Sequence, residues 1–195
     1  MRSIPIVLAA SALLFLLSGR GARAETIELD GMKYESTINV VAQDLVLNGV
    51  GTKRNKLGRR DYAVALYLKA KAKTPEAVLA SPGAMSIGFR FLDDVNSDAM
   101  GFLTTRVEAN MEHADYLKAI NGMMRLGSLL GGRTRFKRGD SFTLEYQPGN
   151  GTSLRFNNVP QGAPITAPEF FKAMLLVWLG PHPADEQMKL ALLGG

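Results

Sequence analysis

Chemistry-bearing side chains concentrate in one short stretch, where Lys53, Arg54, Lys56, Arg59 and Arg60 follow Gly49-Val50-Gly51 and lead into Tyr62. Arginine presents a planar fork of donors and tyrosine one more, so the two on one sheet face make a site for a carboxylate or an enolate oxygen. If 54–62 is one strand, Arg54 and Tyr62 share a face; if it is a hairpin centred on Gly58, they oppose each other. Both geometries set Arg54 beside Tyr62. The competing reading is a solvated edge, whose lysines and arginines discourage association between sheets.

Other chemistries lack their residues. With no cysteine, thiolate zinc sites, iron–sulfur clusters and disulfides are excluded. The only histidines, His113 and His182, have no second ligand three or four residues away, Asp93 and Asp94 point to opposite sides if their strand continues, and Asp94, Asn96 and Asp98 lack the glycine and the glutamate of a calcium loop. Gly49-Val50-Gly51 is half of a phosphate fingerprint, since Arg54 stands where the third glycine belongs. Its simpler reading is backbone that must approach something closely or bend. Neither a Walker lysine nor a Gly-x-Ser-x-Gly elbow is present. No metal and no cofactor are expected.

The net charge of +5 would suggest nucleic acid if it belonged to the working protein. It largely does not. Met1-Arg2-Ser3, an apolar run from Ile4 to Leu17, and Ala22-Arg23-Ala24 read as a secretory signal. Cleavage after Ala24 removes Arg2, Arg20 and Arg23 and lowers the charge to +2. The apolar run is shorter than the ~20 residues of a spanning helix, so export to a bacterial periplasm or exterior is expected, with no stable membrane span and no nucleic-acid partner.

From Glu25 onward neither repeats nor linkers appear, and one domain over 25–195 is expected. Short strands are predicted at 26–29, 33–39 and 45–50. Tyr62-Ala63-Val64-Ala65-Leu66-Tyr67-Leu68 is apolar on both parities, as in a strand covered on both faces. Thr74-Pro75-Glu76 opens a short helix and 85–92 is a strand. Helices follow from Asn96 or Ser97 to Met111 and from Ala114 to Leu130. Pro148-Gly149-Asn150-Gly151 joins two strands of a hairpin, Thr166-Ala167-Pro168-Glu169 starts a helix through Trp178, and a last helix begins near Ala184. Strands first and helices in mid-chain make an α+β domain, a mainly antiparallel sheet with helices on one face. Those helices carry Met100, Met123, Phe171, Met174 and Trp178, candidates for an apolar wall over the basic site and equally for ordinary core.

The chain resembles the chalcone isomerase-like family, in its bacterial exported branch. The residues that carry the likeness are Leu47-Asn48-Gly49-Val50-Gly51, Arg54 to Leu68, Glu76 to Gly83, Phe91-Leu92-Asp93-Asp94-Val95, Lys137-Arg138-Gly139-Asp140 with Tyr146 to Gly149, and Trp178-Leu179-Gly180 with Leu192-Leu193-Gly194. The resemblance implies an open-faced β-sandwich with a ligand cleft between a large sheet and a layer of helices. It also implies one of two activities: fatty-acid binding through an arginine and a tyrosine, or intramolecular lyase or isomerase chemistry on an unsaturated ketone. Arg54 and Tyr62 match the binding pair, with Lys53 as the alternative cation because Gly51-Thr52-Lys53-Arg54 is one residue longer than the family spacing. Three polar positions of the plant enzymes fall near Met100, Val107 and Val177, which cannot serve as general base or phenolate partner. The expectation is a periplasmic, non-catalytic binder of a fatty acid or similar amphiphile, using Arg54, Lys53, Tyr62, Met100 and Trp178. An envelope scaffold that works with a protein partner is the other binding-class reading, and it predicts a filled interior.

Overall fold

The computed structural model describes residues 25–195; the expected signal segment lies outside the described residues. The strands are β1 (Thr26–Leu29), β2 (Met32–Glu35), β3 (Thr37–Val40), β4 (Gln43–Arg54), β5 (Arg60–Leu68), β6 (Met85–Phe91), β7 (Val95–Asn96), β8 (Arg135–Phe136), β9 (Ser141–Gln147), β10 (Gly151–Phe156) and β11 (Val159–Pro160). The helices are α1 (Pro75–Leu79), α2 (Phe102–Asn110), α3 (His113–Gly131), α4 (Pro168–Leu179) and α5 (Glu186–Leu192), with a 3-10 turn at Ser97–Met100.

Seven antiparallel strands form the main sheet in the order β11-β10-β9-β6-β5-β4-β3. As the two-parity apolar pattern requires, β5 is interior and buried on both faces. Tyr62, Val64, Leu66 and Leu68 join the core beneath the helices, while Ala63, Ala65 and Tyr67 join a smaller core on the other side. The predicted strand over 33–39 is two strands. At Ser36 the backbone leaves the β1–β2 ribbon, its amide bonding Glu25 O while its carbonyl accepts Leu47 N at 2.9 Å, and the chain passes into the main sheet. The ribbon lies over the face that carries the smaller core.

On the opposite face α4 is the centre of the helical layer, buried from Phe170 to Leu179 except at Lys172. It packs against α2 and α3. The predicted helix from 96 or 97 to 111 is broken. Ser97–Met100 is a tight turn whose Asp98 O accepts Gly101 N at 3.0 Å, and the α-helical spacing begins only at Phe102. At α1, Thr74 Oγ1 accepts Ala77 N at 3.2 Å and Pro75 stands in the first turn, as its sequence signal requires. Among the described residues no helix is long and apolar enough to cross a membrane.

Candidate functional site

Strand β4 departs from simple alternation twice, and these two irregularities decide which basic residue meets Tyr62. Leu47 pairs with Tyr67 but Gly49 with Leu66, so Asn48 is an extra residue that flips the parity of the rest of the strand. A second slip falls between Lys53 and Arg54: Lys53 pairs with Tyr62, while Arg54 pairs with Arg60. The turn between the strands is built on Asn55. Its side chain accepts Leu57 N and Arg59 N and donates to Asp61 Oδ1 at 2.9 Å. The expected juxtaposition of Arg54 with Tyr62 is therefore corrected, and Lys53 takes that position. Arg54 is exposed and turns to the ribbon, where its guanidinium reaches Asp30 Oδ1 at 3.2 Å. Arg60 reaches the same aspartate, so these two arginines tie the β1–β2 turn to the hairpin.

Lys53 shares with Tyr62 the side of the sheet that faces the helices. There its Nζ lies 2.7 Å from Asp185 Oδ2, in a partly buried ion pair whose side chains are 34% and 24% exposed. Asp185 is the N-cap of α5, and its Oδ1 accepts Met188 N at 3.0 Å. Both carboxylate oxygens are thus engaged. Burial works against the charge on Asp185, but the hydrogen bonds from Lys53 and Met188 outweigh it and hold the carboxyl below its ordinary pKa. The neighbouring phenol moves the other way: burial, with Asp185 and Asp61 adding, pushes Tyr62 well up, so it remains a proton donor throughout the physiological range. A cation, an acceptor-only carboxylate and a neutral donor are thus grouped where the end of the β4–β5 hairpin meets the start of α5.

Asp185 escaped the sequence reading, although Asp185-Glu186 directly before apolar positions at 188, 191 and 192 is an N-cap signal. The Gly49-Val50-Gly51 element explains how α5 comes so close. A methyl group on Gly49 would collide with the backbone of Ala191 and Leu192, and one on Gly51 would lie 2.6 Å from Met188 Sδ. Asn48, pushed out by the bulge, donates to Leu192 O at 2.7 Å and Ala72 O at 3.0 Å and accepts Ala72 N at 2.7 Å. The glycines are a seat for the C-terminal helix.

Beyond Tyr62 the interior is aromatic. Phe89 stacks on Phe142 with centroids 4.1 Å apart, Phe91 on Phe136 at 4.3 Å, and Trp178 leans on Phe89 at 5.0 Å. Trp178 is buried and its indole N–H has no acceptor. Met100 is buried too, and lines a cavity of 210 Å³ between the 3-10 turn, α2 and α3. Tyr62 and Lys53 are not among that cavity's walls. Val107 and Val177 are fully buried core residues. A larger groove of 770 Å³ opens at the far end, over Met85, Tyr146, Phe171 and Leu175, with Lys172 and Asp115 paired at its rim at 2.9 Å.

The fold recurs in a crystal structure of an Arabidopsis thaliana fatty-acid binding protein, with a TM-score of 0.63 at 15% identity, over 87% of this chain and 96% of that one. No curated protein sequence matches the chain. The model of the chalcone isomerase-like family matches residues 26–194, every element from β1 through α5, and the chain belongs to that family.

Proposed function

We propose that this protein is a non-catalytic binder of a fatty acid or similar amphiphilic carboxylate, acting after export to the periplasm. The observation that carries the reading is the Lys53–Asp185 pair beside Tyr62. The helix-facing cation already holds a carboxylate, supplied by the protein's own N-cap, with a phenol proton left over. A ligand carboxylate would replace Asp185 on Lys53 and gain the Tyr62 hydroxyl, leaving Asp185, still held as the α5 N-cap, as a nearby competing charge. The acyl chain would run toward Met100 and Trp178. The 210 Å³ groove beside Met100, edged by Ser97, Asp98 and Thr104, has room for part of a chain, and a longer one requires α2 and α3 to part. Each buried methylene contributes about 0.8 kcal/mol, so the tail sets affinity and the head sets orientation.

The likeness in fold to a fatty-acid binding protein supports this reading. So does the filling of positions 100, 107 and 177 by Met, Val and Val, none of which transfers a proton. The test is native mass spectrometry of the protein purified from its own envelope, followed by laurate titration of variants. Bound acyl species are expected, with Lys53→Met weakening laurate by about tenfold and Arg54→Met leaving it unchanged. A loss on Lys172→Met instead would move the head to the far groove, and absence of any bound acyl chain would overturn the reading.

A further inference from the structure

The sheet has a second concavity on the face away from the helices. There the β1–β2 ribbon leans over the strands and leaves a cavity of 390 Å³. Its floor is small because three short residues lie side by side across the strands: Ala65 of β5 pairs with Gly88 of β6, and Gly88 with Thr143 of β9. Nothing in the packing demands glycine at this point. A methyl group there would meet Thr143 Oγ1 at 3.6 Å, an ordinary contact, and the backbone is not left-handed. The space over Gly88 is therefore open by choice of residue.

Two donors at this cavity lack partners. Arg90, two residues along β6 on the same face, is exposed and forms no ion pair among the described residues. Tyr34 lines the wall from β2; it is only 9% exposed, and its hydroxyl is shut from solvent with no hydrogen-bond partner. A buried hydroxyl left unpaired is costly and calls for an acceptor. Tyr67, beside it, is already satisfied, donating to Glu35 O at 3.0 Å. Burial pushes the Tyr34 phenol up while the Arg90 charge pulls the other way, so the two groups sense each other and the phenol keeps its proton at neutral pH.

We propose that this cavity binds a small monocarboxylate, one end of which accepts from the Arg90 guanidinium and, on a small turn of the Tyr34 side chain that uncovers it, from the Tyr34 hydroxyl, while its short body lies over Ala65 and Gly88. The lining carries both signs, Lys33 and Arg90 with Glu35 and Glu145, so the adjoining donors of Arg90 and Tyr34, rather than the summed charge, select a single carboxylate. The site is on the opposite side of the sheet from Lys53 and Tyr62 and is independent of the function proposed for them.

The test is a titration of the chain beginning at Glu25 with hexanoate, hexanamide and inorganic phosphate, monitored by amide NMR shifts. Hexanoate is expected to give saturable shifts at Gly88, Arg90 and Thr143, and hexanamide none. Arg90→Gln should weaken hexanoate by about tenfold or more and Tyr34→Phe by roughly threefold, the latter without lowering the melting temperature. Gly88→Val should occupy the floor on which the ligand body lies and weaken the shifts in a protein that still melts cooperatively, whereas Lys53→Met should leave them intact. Absence of saturable shifts at 10 mM hexanoate, roughly the weakest binding of interest, overturns the proposal. So do shifts that survive Arg90→Gln or that hexanamide reproduces. Phosphate binding tighter than hexanoate overturns the carboxylate assignment.

Discussion

At the scale of single residues, the proposed site at Lys53, Asp185 and Tyr62 sets an internal carboxylate in competition with a carboxylate ligand. Asp185→Asn keeps the N-cap, since asparagine caps as well as aspartate, but removes the competing charge. Laurate affinity is therefore expected to rise severalfold in a direct titration. A purely structural ion pair would give no such gain. The same group also gives a signed pH dependence. Its folded pKa is depressed, so its contribution to stability is present above the ordinary carboxylate value near 4 and is lost as pH falls through the lower folded value. For a pair this exposed the amount is about 1 kcal/mol or less. Denaturant melts between pH 6 and 2 should show the wild type losing more stability on acidification than Asp185→Asn. Tyr62 was legible from its place at the head of a two-parity apolar strand. The choice between Lys53 and Arg54 was not, because a bulge at Asn48 and a slip after Lys53 leave no mark in residue types, and each reverses the face of every residue after it.

Among the elements, the turns show where local chemistry and tertiary demand disagree. Asn157 and Asn158 take positive φ of 47° and 64° in the β10–β11 hairpin, a conformation asparagine tolerates. The β3–β4 hairpin uses the same geometry with Val41 and Ala42, at 48° and 59°, and a β-branched residue is strained there. Replacing Val41-Ala42 with Asn-Gly is expected to stabilise the protein by about 1 kcal/mol, read as a shift in urea midpoint at constant slope. The seat of α5 makes the opposite prediction. Gly49→Ala places a methyl group on the backbone of Ala191 and Leu192, so helix and strand must separate at a cost of about 3 kcal/mol or more, with hydrogen exchange rising first in α5. The Pro148 to Gly151 turn and the α1 cap could be read in advance because each meets a local requirement, whereas Gly49 and Gly51 announce a close approach without naming α5 as its partner. The break at Gly101 and the two-residue strands β7 and β8 depend on distant partners and could not.

For the whole molecule, the proposed binding of an amphiphile between sheet and helices predicts a coupling to global stability. At a laurate concentration of about 100 times Kd the folded state gains roughly 2.7 kcal/mol, which in a domain of this size corresponds to a rise of roughly 5 to 10 °C in melting temperature. A calorimetric scan with and without laurate checks it, and a shift cut to about half in Lys53→Met at the same laurate concentration, as a tenfold weaker Kd requires, assigns it to this site. The α+β class, the central strand covered on both faces and the order of elements were determined by the sequence alone, because apolar periodicity, caps and turn residues act over a few positions and need no distant partner. Which cation faces the helices, that Asp185 comes to sit on it, and that Arg90 and Tyr34 share a cavity behind the sheet were decided only by the tertiary structure. Strand register and the docking of α5 bring together residues far apart in the chain, and that geometry is set by packing across the sheet.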